Sequence, residues 1–333
     1  MSELSSSPGV SFVIATRNRR RLAAACIRSC LAQQLDVPRE VLVFDDASED
    51  GTAEYLMKLF PTITVVRLDR NLGLVPVRTL GFTQARHQWI VSIDDDMLLF
   101  DEGAVQRALN AARAHDRTGS IAMPYYERYV SSAQQWSDEA VNRSGDISEY
   151  HEVRSFRGGS VLLNRPAVLE CGCYPEWIYR QGEEKFLSIR LLDRGYHLLT
   201  GGPPGSIHLF SPIRNRQAMS WYGVRNTILF DALCIPQPYC LPYLARDVFK
   251  LLSYKLSMRN CAERVGAIGW SLFSVLRMAR QRQPVSWRTF RKQLSLPRHG
   301  PLPLPHGWTP EPLVQRGIVE SQEEFDRYLN GEE

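Results

Sequence analysis

Residues 89–100 read WIVSIDDDMLLF, an apolar run that three consecutive aspartates interrupt before it resumes. On an extended backbone Asp94 and Asp96 would point to the same side, with their side chains about 6–7 Å apart. At an effective dielectric constant of about 20, the repulsion between the two carboxylates is about 2–3 kcal/mol. A solvated turn at the end of a strand relieves this repulsion, and so does a basic neighbour or a bound cation. The rest of the sequence has to decide between a turn and a binding site.

This stretch closes a series of strands that alternate with helices. Its first part, 89–93, follows earlier β-rich runs at 11–15 (SFVIA), 41–46 (VLVFDD) and 63–68 (ITVVRL), and segments with helical periodicity separate them. Strands alternating with helices of about 10–15 residues indicate βαβ crossovers and a parallel sheet that is covered on both faces. The sequence therefore predicts an α/β fold.

Polar residues gather where the predicted strands end, which is where open α/β sheets bind their ligands. These residues are Thr16, Arg17, Asp45, Asp46, Asp94, Asp95 and Asp96. A glycine-rich dinucleotide fingerprint is absent after the first strand, and the chain has no Walker P-loop. We therefore expect a binding site at this edge of the sheet that differs from an ordinary Rossmann or P-loop site.

The composition is that of a folded protein. The 333 residues are 44% hydrophobic and 23% charged, which excludes an intrinsically disordered chain. The first ten residues have neither the basic region nor the apolar core of a signal peptide. None of the seven cysteines forms a CxxC pair, so we expect reduced thiols and a cytoplasmic location rather than a zinc site or a disulfide framework.

The charge is distributed unevenly along the chain. Residues 246–298 contain twelve Lys/Arg and two Asp/Glu, a balance of +10, whereas the remainder carries −6. The longest uncharged run there, 265–276, has twelve residues, too few to span a bilayer. Apolar and basic residues alternate at helical spacing, which favours a helix in an anionic membrane interface. The alternative is a helical appendage packed on the main domain, and no nucleic-acid-binding module is recognisable.

These features predict four segments. Residues 1–8 form a disordered N-terminus, 9–230 the α/β domain that carries the expected site, 231–295 a basic amphipathic helical segment, and 296–333 a Pro-rich linker and C-terminal tail.

Several motifs follow one another along the first two thirds of the chain. They are VSFVIATRNRRRL (10–22), VLVFDDASEDGT (41–52), NLG (71–73), SIDDD (92–96) and GEEKFLSIRLLDRGYHL (182–198), followed by His208. Together these motifs, within roughly residues 9–210, resemble the family 2 glycosyltransferases. The resemblance implies a GT-A αβα sandwich with a mostly parallel, Rossmann-like sheet, and transfer of a sugar from a nucleotide-sugar to an acceptor. Some members act in polysaccharide biosynthesis, including rhamnosyltransferase-like enzymes.

The resemblance also implies roles for individual residues. The nucleotide-sugar would contact Thr16, Arg17, Asp45, Asp46, Arg78, Asp94 and Asp95. A divalent cation, Mg²⁺ or Mn²⁺, would be held by Asp96, Asp94 and His208. Such a cation would neutralise the leaving diphosphate and the repulsion between the two aspartates. Arg78 would face the diphosphate, although the family's Ala-Arg-Asn run is Val77-Arg78-Thr79 here.

Glu183 and Glu184 occupy the place of the family's acidic pair, which is usually Glu-Asp. The resemblance makes Glu184 the general base that deprotonates the acceptor hydroxyl, in a reaction that inverts the anomeric centre. Each assignment has an ordinary alternative. Asp45 and Asp46 could cap a turn, His208 could be a packed histidine, and the glutamates could simply favour a helix N-terminus.

The sequence thus predicts a metal-dependent glycosyltransferase, peripheral on the inner (plasma) membrane. UDP-sugars are the first expectation for the donor and dTDP-sugars the second, with a glycan or lipid-linked glycan as acceptor and no nucleic acid. The sequence is also compatible with a homo-oligomer. The competing hypotheses are a nucleotidyltransferase of similar fold, which would carry a glycine-rich N-terminal loop in place of TRNRR, and a non-catalytic membrane-bound scaffold.

Overall fold

A computed structural model describes residues 7–127, 149–209, 216–253 and 258–330. Its strands are β1 (Ser7–Thr16), β2 (Arg39–Asp45), β3 (Thr64–Arg67), β4 (His87–Asp94), β5 (Met97–Leu99), β6 (Thr118–Ala122), β7 (Tyr125–Glu127), β8 (His151–Glu152), β9 (Ser160–Asn164), β10 (His197–Thr200), β11 (Ser206–His208) and β12 (Leu302–Pro303). Its α-helices are α1 (Arg20–Leu31), α2 (Thr52–Leu59), α3 (Leu74–Gln84), α4 (Ala104–Ala114), α5 (Arg165–Glu170), α6 (Glu183–Asp193), α7 (Arg216–Cys234), α8 (Cys240–Ser253), α9 (Met258–Met278), α10 (Trp287–Ser295), α11 (Glu311–Gln315) and α12 (Gln322–Asn330).

The larger sheet has eight strands in the order β3-β2-β1-β4-β9-β6-β10-β8. The strands from β3 to β4 are parallel, as are β6 and β10, whereas β9 and β8 run antiparallel to their neighbours. Helices cover both faces of this sheet, and two apolar cores separate the layers. The predicted α/β class is confirmed.

The first helix shows why the sequence pattern was informative. Leu22, Cys26, Ile27 and Cys30 repeat at helical spacing, and all four are buried in the core beneath β1 and β4. The flanking arginines stay at the surface. The helix thereby fixes the position of the TRNRR turn above the end of β1.

A second, four-stranded sheet was not predicted. Its order is β12-β7-β11-β5. The chain enters it directly after Asp94, because a turn at Asp95 and Asp96 carries the backbone from β4 into β5. The apolar residues after the three aspartates therefore form a separate short strand. In this sheet His208 is paired with Met97 of β5 and with Glu127 of β7.

The C-terminal residues contribute more to the fold than a linker would. Strand β12 pairs with β7, and the proline is accommodated because β12 is an edge strand. Leu313 and Phe325 are buried in the same core as α1. The boundary predicted after residue 230 falls inside α7. Of the predicted disordered N-terminus, residues 1–6 lie outside the described residues, whereas Ser7 and Pro8 belong to β1.

The packing of α3 on the sheet can be tested at Gly81. A Cβ at Gly81 would overlap the Val13 side chain and lie 3.1 Å from the Phe44 ring. We expect Gly81→Ala to lower the free energy of unfolding by about 1–3 kcal/mol, as overpacking does in other cores. Chemical denaturation measures this change.

The matched control is Gly269→Ala in α9, where a Cβ would meet nothing within 4 Å. There the better helix propensity of alanine should raise the free energy of unfolding by about 0.5–1 kcal/mol. A neutral Gly81→Ala variant would contradict the close packing of α3 on β1 and β2.

Candidate functional site

The register of the sheet brings three strand ends together. Thr16, the last residue of β1, is paired with Asp45 of β2, and Ala15 is paired with Asp94 of β4. The polar residues that follow β1, β2 and β4 therefore share one edge of the sheet. The prediction of a site at this edge agrees with this arrangement.

The middle aspartate of the triplet anchors the turn. Asp95 is buried and accepts hydrogen bonds from Thr16 Oγ1 at 2.8 Å and from Arg19 Nη1 at 2.9 Å. The same Arg19 nitrogen lies 3.1 Å from Asp96 Oδ2. Burial raises the pKa of Asp95, Arg19 opposes this shift and Asp96 adds to it. Arg19 thus places one positive charge against two of the three adjacent carboxylates.

Asp94, Asp96 and His208 face one another. One donor atom from each of the three residues lies within 4.8 Å of the others. His208 Nε2 is 3.3 Å from Asp96 Oδ1, and its Nδ1 is 3.2 Å from Glu127 Oε1. Burial would lower the pKa of His208, but the Asp96 and Glu127 carboxylates raise it to about 9. The imidazole therefore lies between two acidic groups, of which Glu127 was not predicted.

A second guanidinium neutralises the other side of the site. Arg78, on α3, is buried and forms an ion pair with Asp94. Its Nη1 atom lies 3.5 Å from Glu183 Oε1, and its Nη2 atom donates to the Gly158 carbonyl at 3.4 Å. Arg78 therefore connects the end of β4 to the beginning of α6.

The two adjacent glutamates have different environments. Glu183 is buried, and its burial, together with the neighbouring Glu184, raises its pKa to about 8 against the attraction of Arg78. Glu184 is half-buried, and its Oε1 accepts a hydrogen bond from the Gly158 backbone N–H at 3.1 Å. A Cβ at Gly158 would lie 2.9 Å from Arg78 Nη1 and 3.0 Å from Glu184 Oε1. A side chain at position 158 would therefore displace the ends of the Arg78 and Glu184 side chains.

The remaining predicted residues lie around this centre. Asp45 is fully buried and its Oδ1 accepts from Ser48, whereas its Oδ2 has no hydrogen-bond partner among the described residues. Asp46 accepts from the backbone N–H groups of Leu72 at 2.7 Å and Gly73 at 2.9 Å, so it holds the loop before α3.

Arg17 does not join the aspartates. Its Nη2 atom lies 4.0 Å from Glu49, and its side chain is 41% exposed. Arg19, two residues further along the same TRNRR turn, takes the inward position. The basic TRNRR turn indicates that an arginine lies near the end of β1. The sequence alone does not identify which arginine contacts the carboxylates.

The donor set at the sheet edge fits a divalent cation. Two carboxylates and an imidazole are ligands that Mn²⁺ accepts, and carboxylates also suit Mg²⁺. The donor atoms already converge without a change of backbone. Beside them, a half-exposed carboxylate on Glu184 is placed to accept a proton. The arrangement combines a candidate cation site with a partly exposed carboxylate that is a candidate general base.

Comparison with known proteins agrees with this geometry. Residues 11–174 match the sequence model of the family described as Glycosyl transferase family 2. The chain is 30% identical, over 242 residues, to undecaprenyl-phosphate 4-deoxy-4-formamido-L-arabinose transferase of Pseudomonas aeruginosa, covering 64% of this chain and 70% of that protein. It is 38% identical over 90 residues to the succinoglycan biosynthesis protein ExoO of Rhizobium meliloti, a match that covers only 26% of ExoO.

Solved structures share the fold. Residues 1–349 of S. aureus TarS superpose with a TM-score of 0.58 at 14% identity, over 79% of this chain and 80% of that one. The mannosyltransferase PcManGT of Pyrobaculum calidifontis, solved with GDP-Man and Mn²⁺, gives 0.53 at 17% identity, over 87% and 86%. TarS was also solved with UDP and with UDP-GlcNAc. These similarities confirm the expected GT-A architecture.

The buried carboxyl of Glu183 predicts a pH dependence of stability. Its pKa is raised from 4.5 to about 8, so the folded protein retains a proton that the unfolded chain releases at lower pH. This contribution to stability is present below pH 4.5 and is lost as the pH rises through about 8. Glu183→Gln removes the titrating group. Between pH 5 and pH 9 the free energy of unfolding of this variant should therefore increase relative to that of the unsubstituted protein.

Denaturation curves across this pH range test the prediction. The control is Glu176→Gln, which makes the same chemical change at an exposed glutamate and so separates the effect of burial from that of the substitution. If the free energies of unfolding of Glu183→Gln and of the unsubstituted protein differed by the same amount at every pH, Glu183 would be ionised normally in the fold.

Proposed function

The chain belongs to glycosyl transferase family 2 and is a glycosyltransferase, and we propose that it transfers a sugar, with inversion, from a nucleotide-sugar to a hydroxyl group in a metal-dependent reaction. The observation that carries this proposal is the contact network between the cation-binding candidates and the candidate base. Asp94 is joined to Arg78, Arg78 to the Gly158 carbonyl, and the Gly158 N–H to Glu184. This network connects the candidate cation ligand Asp94 to the candidate base Glu184.

In the proposed reaction each residue has a defined task. Asp94, Asp96 and His208 would hold Mg²⁺ or Mn²⁺, and the bound ion supplies positive charge that stabilises the leaving diphosphate. Glu184 takes the proton of the acceptor hydroxyl as the acceptor oxygen forms a bond to the anomeric carbon. The bond from that carbon to the diphosphate oxygen breaks on the opposite face. Direct displacement of this kind inverts the anomeric centre.

The neighbouring charged groups support these tasks without reaching the acceptor. Glu183 is only 3% exposed, so we assign it to the positioning of Arg78 rather than to proton transfer. Arg78 and Arg19 each contact two of the acidic side chains, and each supplies one positive charge that reduces the repulsion between them. Thr16, Asp45 and Asp46 lie beside this centre, where we place the nucleoside.

The substrates follow by analogy with the relatives. We infer a UDP-sugar as donor, with a dTDP-sugar as the second choice; of the proteins that share the fold, TarS was solved with UDP-GlcNAc and PcManGT with GDP-Man. The name of the Pseudomonas relative describes transfer to a lipid phosphate, and other relatives are named for polysaccharide biosynthesis. A glycan or a lipid-linked glycan is therefore the proposed acceptor.

The C-terminal helices offer a surface for such an acceptor. On α9, Val265, Leu272, Phe273 and Leu276 recur at helical spacing and are 43–77% exposed; we call them the apolar face of α9. The Arg277 guanidinium lies 5.9 Å from the Phe273 ring. From residue 265 to 310 the sequence contains seven Lys/Arg and no Asp/Glu.

An exposed apolar stripe that is followed, up to residue 310, by seven basic and no acidic residues matches the chemistry of an anionic bilayer surface. Within the part of the chain that the structure describes, no helix has both the length and the hydrophobicity to cross a membrane. We therefore propose that the apolar face of α9 lies in the interface of the inner membrane, on its cytoplasmic side.

Two variants separate metal-dependent binding from turnover. Asp96→Asn should abolish the rise in melting temperature that UDP and Mn²⁺ together give the unsubstituted protein, because it removes an anionic ligand. Glu184→Gln should keep that rise and lower sugar transfer at least 100-fold, a magnitude typical of a lost general base.

Transfer is followed as nucleoside diphosphate released from a panel of nucleotide-sugars, with a bacterial lipid extract as acceptor source. Release of pyrophosphate from a nucleoside triphosphate supplied together with a sugar 1-phosphate would instead identify a nucleotidyltransferase. Failure of every nucleotide–Mn²⁺ pair to shift the melting temperature would favour the scaffold, and near-normal turnover of Glu184→Gln would place the base elsewhere.

The membrane surface has its own test. We expect the protein to sediment with vesicles containing anionic phospholipid, and less at high salt, because screening weakens the attraction of the basic groups. Replacing Leu272, Phe273 and Leu276 by serine should reduce this binding at least tenfold.

The matched control replaces Met57 and Leu59, exposed apolar residues of α2, by serine and should bind normally. Unchanged binding of the α9 variant would remove this face from the proposal. Equal binding to vesicles of phosphatidylcholine alone would remove the basic groups.

A further inference from the structure

The turn that introduces the candidate base is conformationally unusual. Gln181 has φ of +66° and Gly182 has φ of +82°, and the helix that carries Glu183 and Glu184 begins at the next residue. Glycine adopts a left-handed conformation freely, but for glutamine the same conformation is unfavourable by about 1 kcal/mol or more. A strained residue beside a functional group persists only where its surroundings hold it.

A side chain from α7 provides this restraint. Asn226 is buried, and its Nδ2 amide donates to the carbonyl oxygens of Arg180 at 2.9 Å and of Gln181 at 2.6 Å. Both hydrogens of the amide are thus used on two consecutive carbonyls of the turn. Because residues 180 and 226 are far apart in the sequence, this contact fixes the turn against a different part of the fold.

The neighbouring arginine holds the amide in this orientation. Arg225 Nη1 donates to Asn226 Oδ1 at 2.9 Å, which leaves the Nδ2 group facing the turn. The Arg225 guanidinium lies between two indole rings, 5.5 Å from Trp177 and 5.0 Å from Trp270. Trp177 belongs to the loop before α6 and Trp270 to α9, so three segments of the chain converge on one buried cation.

We propose that Asn226 is a positioning residue that fixes the Gln181–Gly182 turn and thereby the carboxylate of Glu184. The inference rests on the proposed role of Glu184 as general base. It assigns to α7 a part in the reaction, because a base displaced by about 1 Å can lose about 100-fold in rate. The rings of Trp177 and Trp270 set the position of the amide through Arg225.

The test uses the full-length protein with Asn226→Asp, which keeps the side chain's size and the acceptor for Arg225 but removes the two donors. Asn226→Ala serves as a second variant without added charge. Thr227→Val is the matched control, since Thr227 Oγ1 bonds only to Gly223 of the same helix among the described contacts. Hydrogen–deuterium exchange of the peptide 178–187 reports the turn directly and requires no substrate.

We expect both Asn226 variants to lower kcat about 10- to 100-fold, with the KM for the donor within about twofold of normal, and exchange to rise in 178–187 but not across α7. The Thr227→Val protein should match the unsubstituted one. A kcat within about twofold of normal would overturn the inference. So would a loss of kcat accompanied by faster exchange throughout α7, which would indicate general destabilisation.

The outcome for Glu184→Gln distinguishes this inference from the function on which it rests. An inactive Glu184→Gln protein together with active Asn226 variants would reject only the role of Asn226. An active Glu184→Gln protein would reject the base itself.

Discussion

The mutual repulsion of carboxylates at the end of β4 is the constraint that organises the rest of the molecule. Three adjacent aspartates lie beside two glutamates from the start of α6. Two guanidinium groups between these acidic side chains reduce their mutual repulsion. Arg19 contacts Asp95 and Asp96, and Arg78 contacts Asp94 and Glu183. Because Arg19 follows β1 and Arg78 lies on α3, the site forms only when β1, β4, α3 and α6 are all in place.

This arrangement leaves two groups of acidic atoms for chemistry. Donor atoms of Asp94 and Asp96 lie close to His208, a residue of the smaller sheet. The other ring nitrogen of His208 contacts Glu127, which fixes the orientation of the ring. On the other side of Gly158, burial favours the protonated form of Glu183, while Glu184 stays half-exposed. Neighbouring carboxyl groups in different environments can therefore take different roles, one structural and one in proton transfer.

The elements and residues that could be predicted are those with a local signal. The periodicity of the apolar residues predicts strands β1 to β4 and helix α1. The polar residues at the ends of these strands predict the location of the site. His208 was found through its place in a family motif, because no local pattern identifies it. The structure brings His208 to Asp94 and Asp96.

The contacts that escaped prediction link distant parts of the chain. Glu127 meets His208 because β7 and β11 are paired, and Asn226 reaches the turn before α6 from a helix some 45 residues later. Neither residue type has a spacing that reveals its partner. The sequence predicts a Pro-rich linker and a C-terminal tail for 296–333, and nothing in its pattern shows that Leu313 and Phe325 pack in the core. Such contacts are set by tertiary packing, which a single sequence does not display.

The central claim is that a divalent cation is held between the aspartates at the end of β4 and the histidine of the smaller sheet. The most direct measurement is an anomalous difference map from a crystal soaked with Mn²⁺ and UDP. The account predicts one strong peak within coordination distance of Asp94, Asp96 and His208, with the diphosphate on its open side. A diphosphate bound at this edge of the sheet with no Mn²⁺ peak there, or with the peak at other residues, would contradict it.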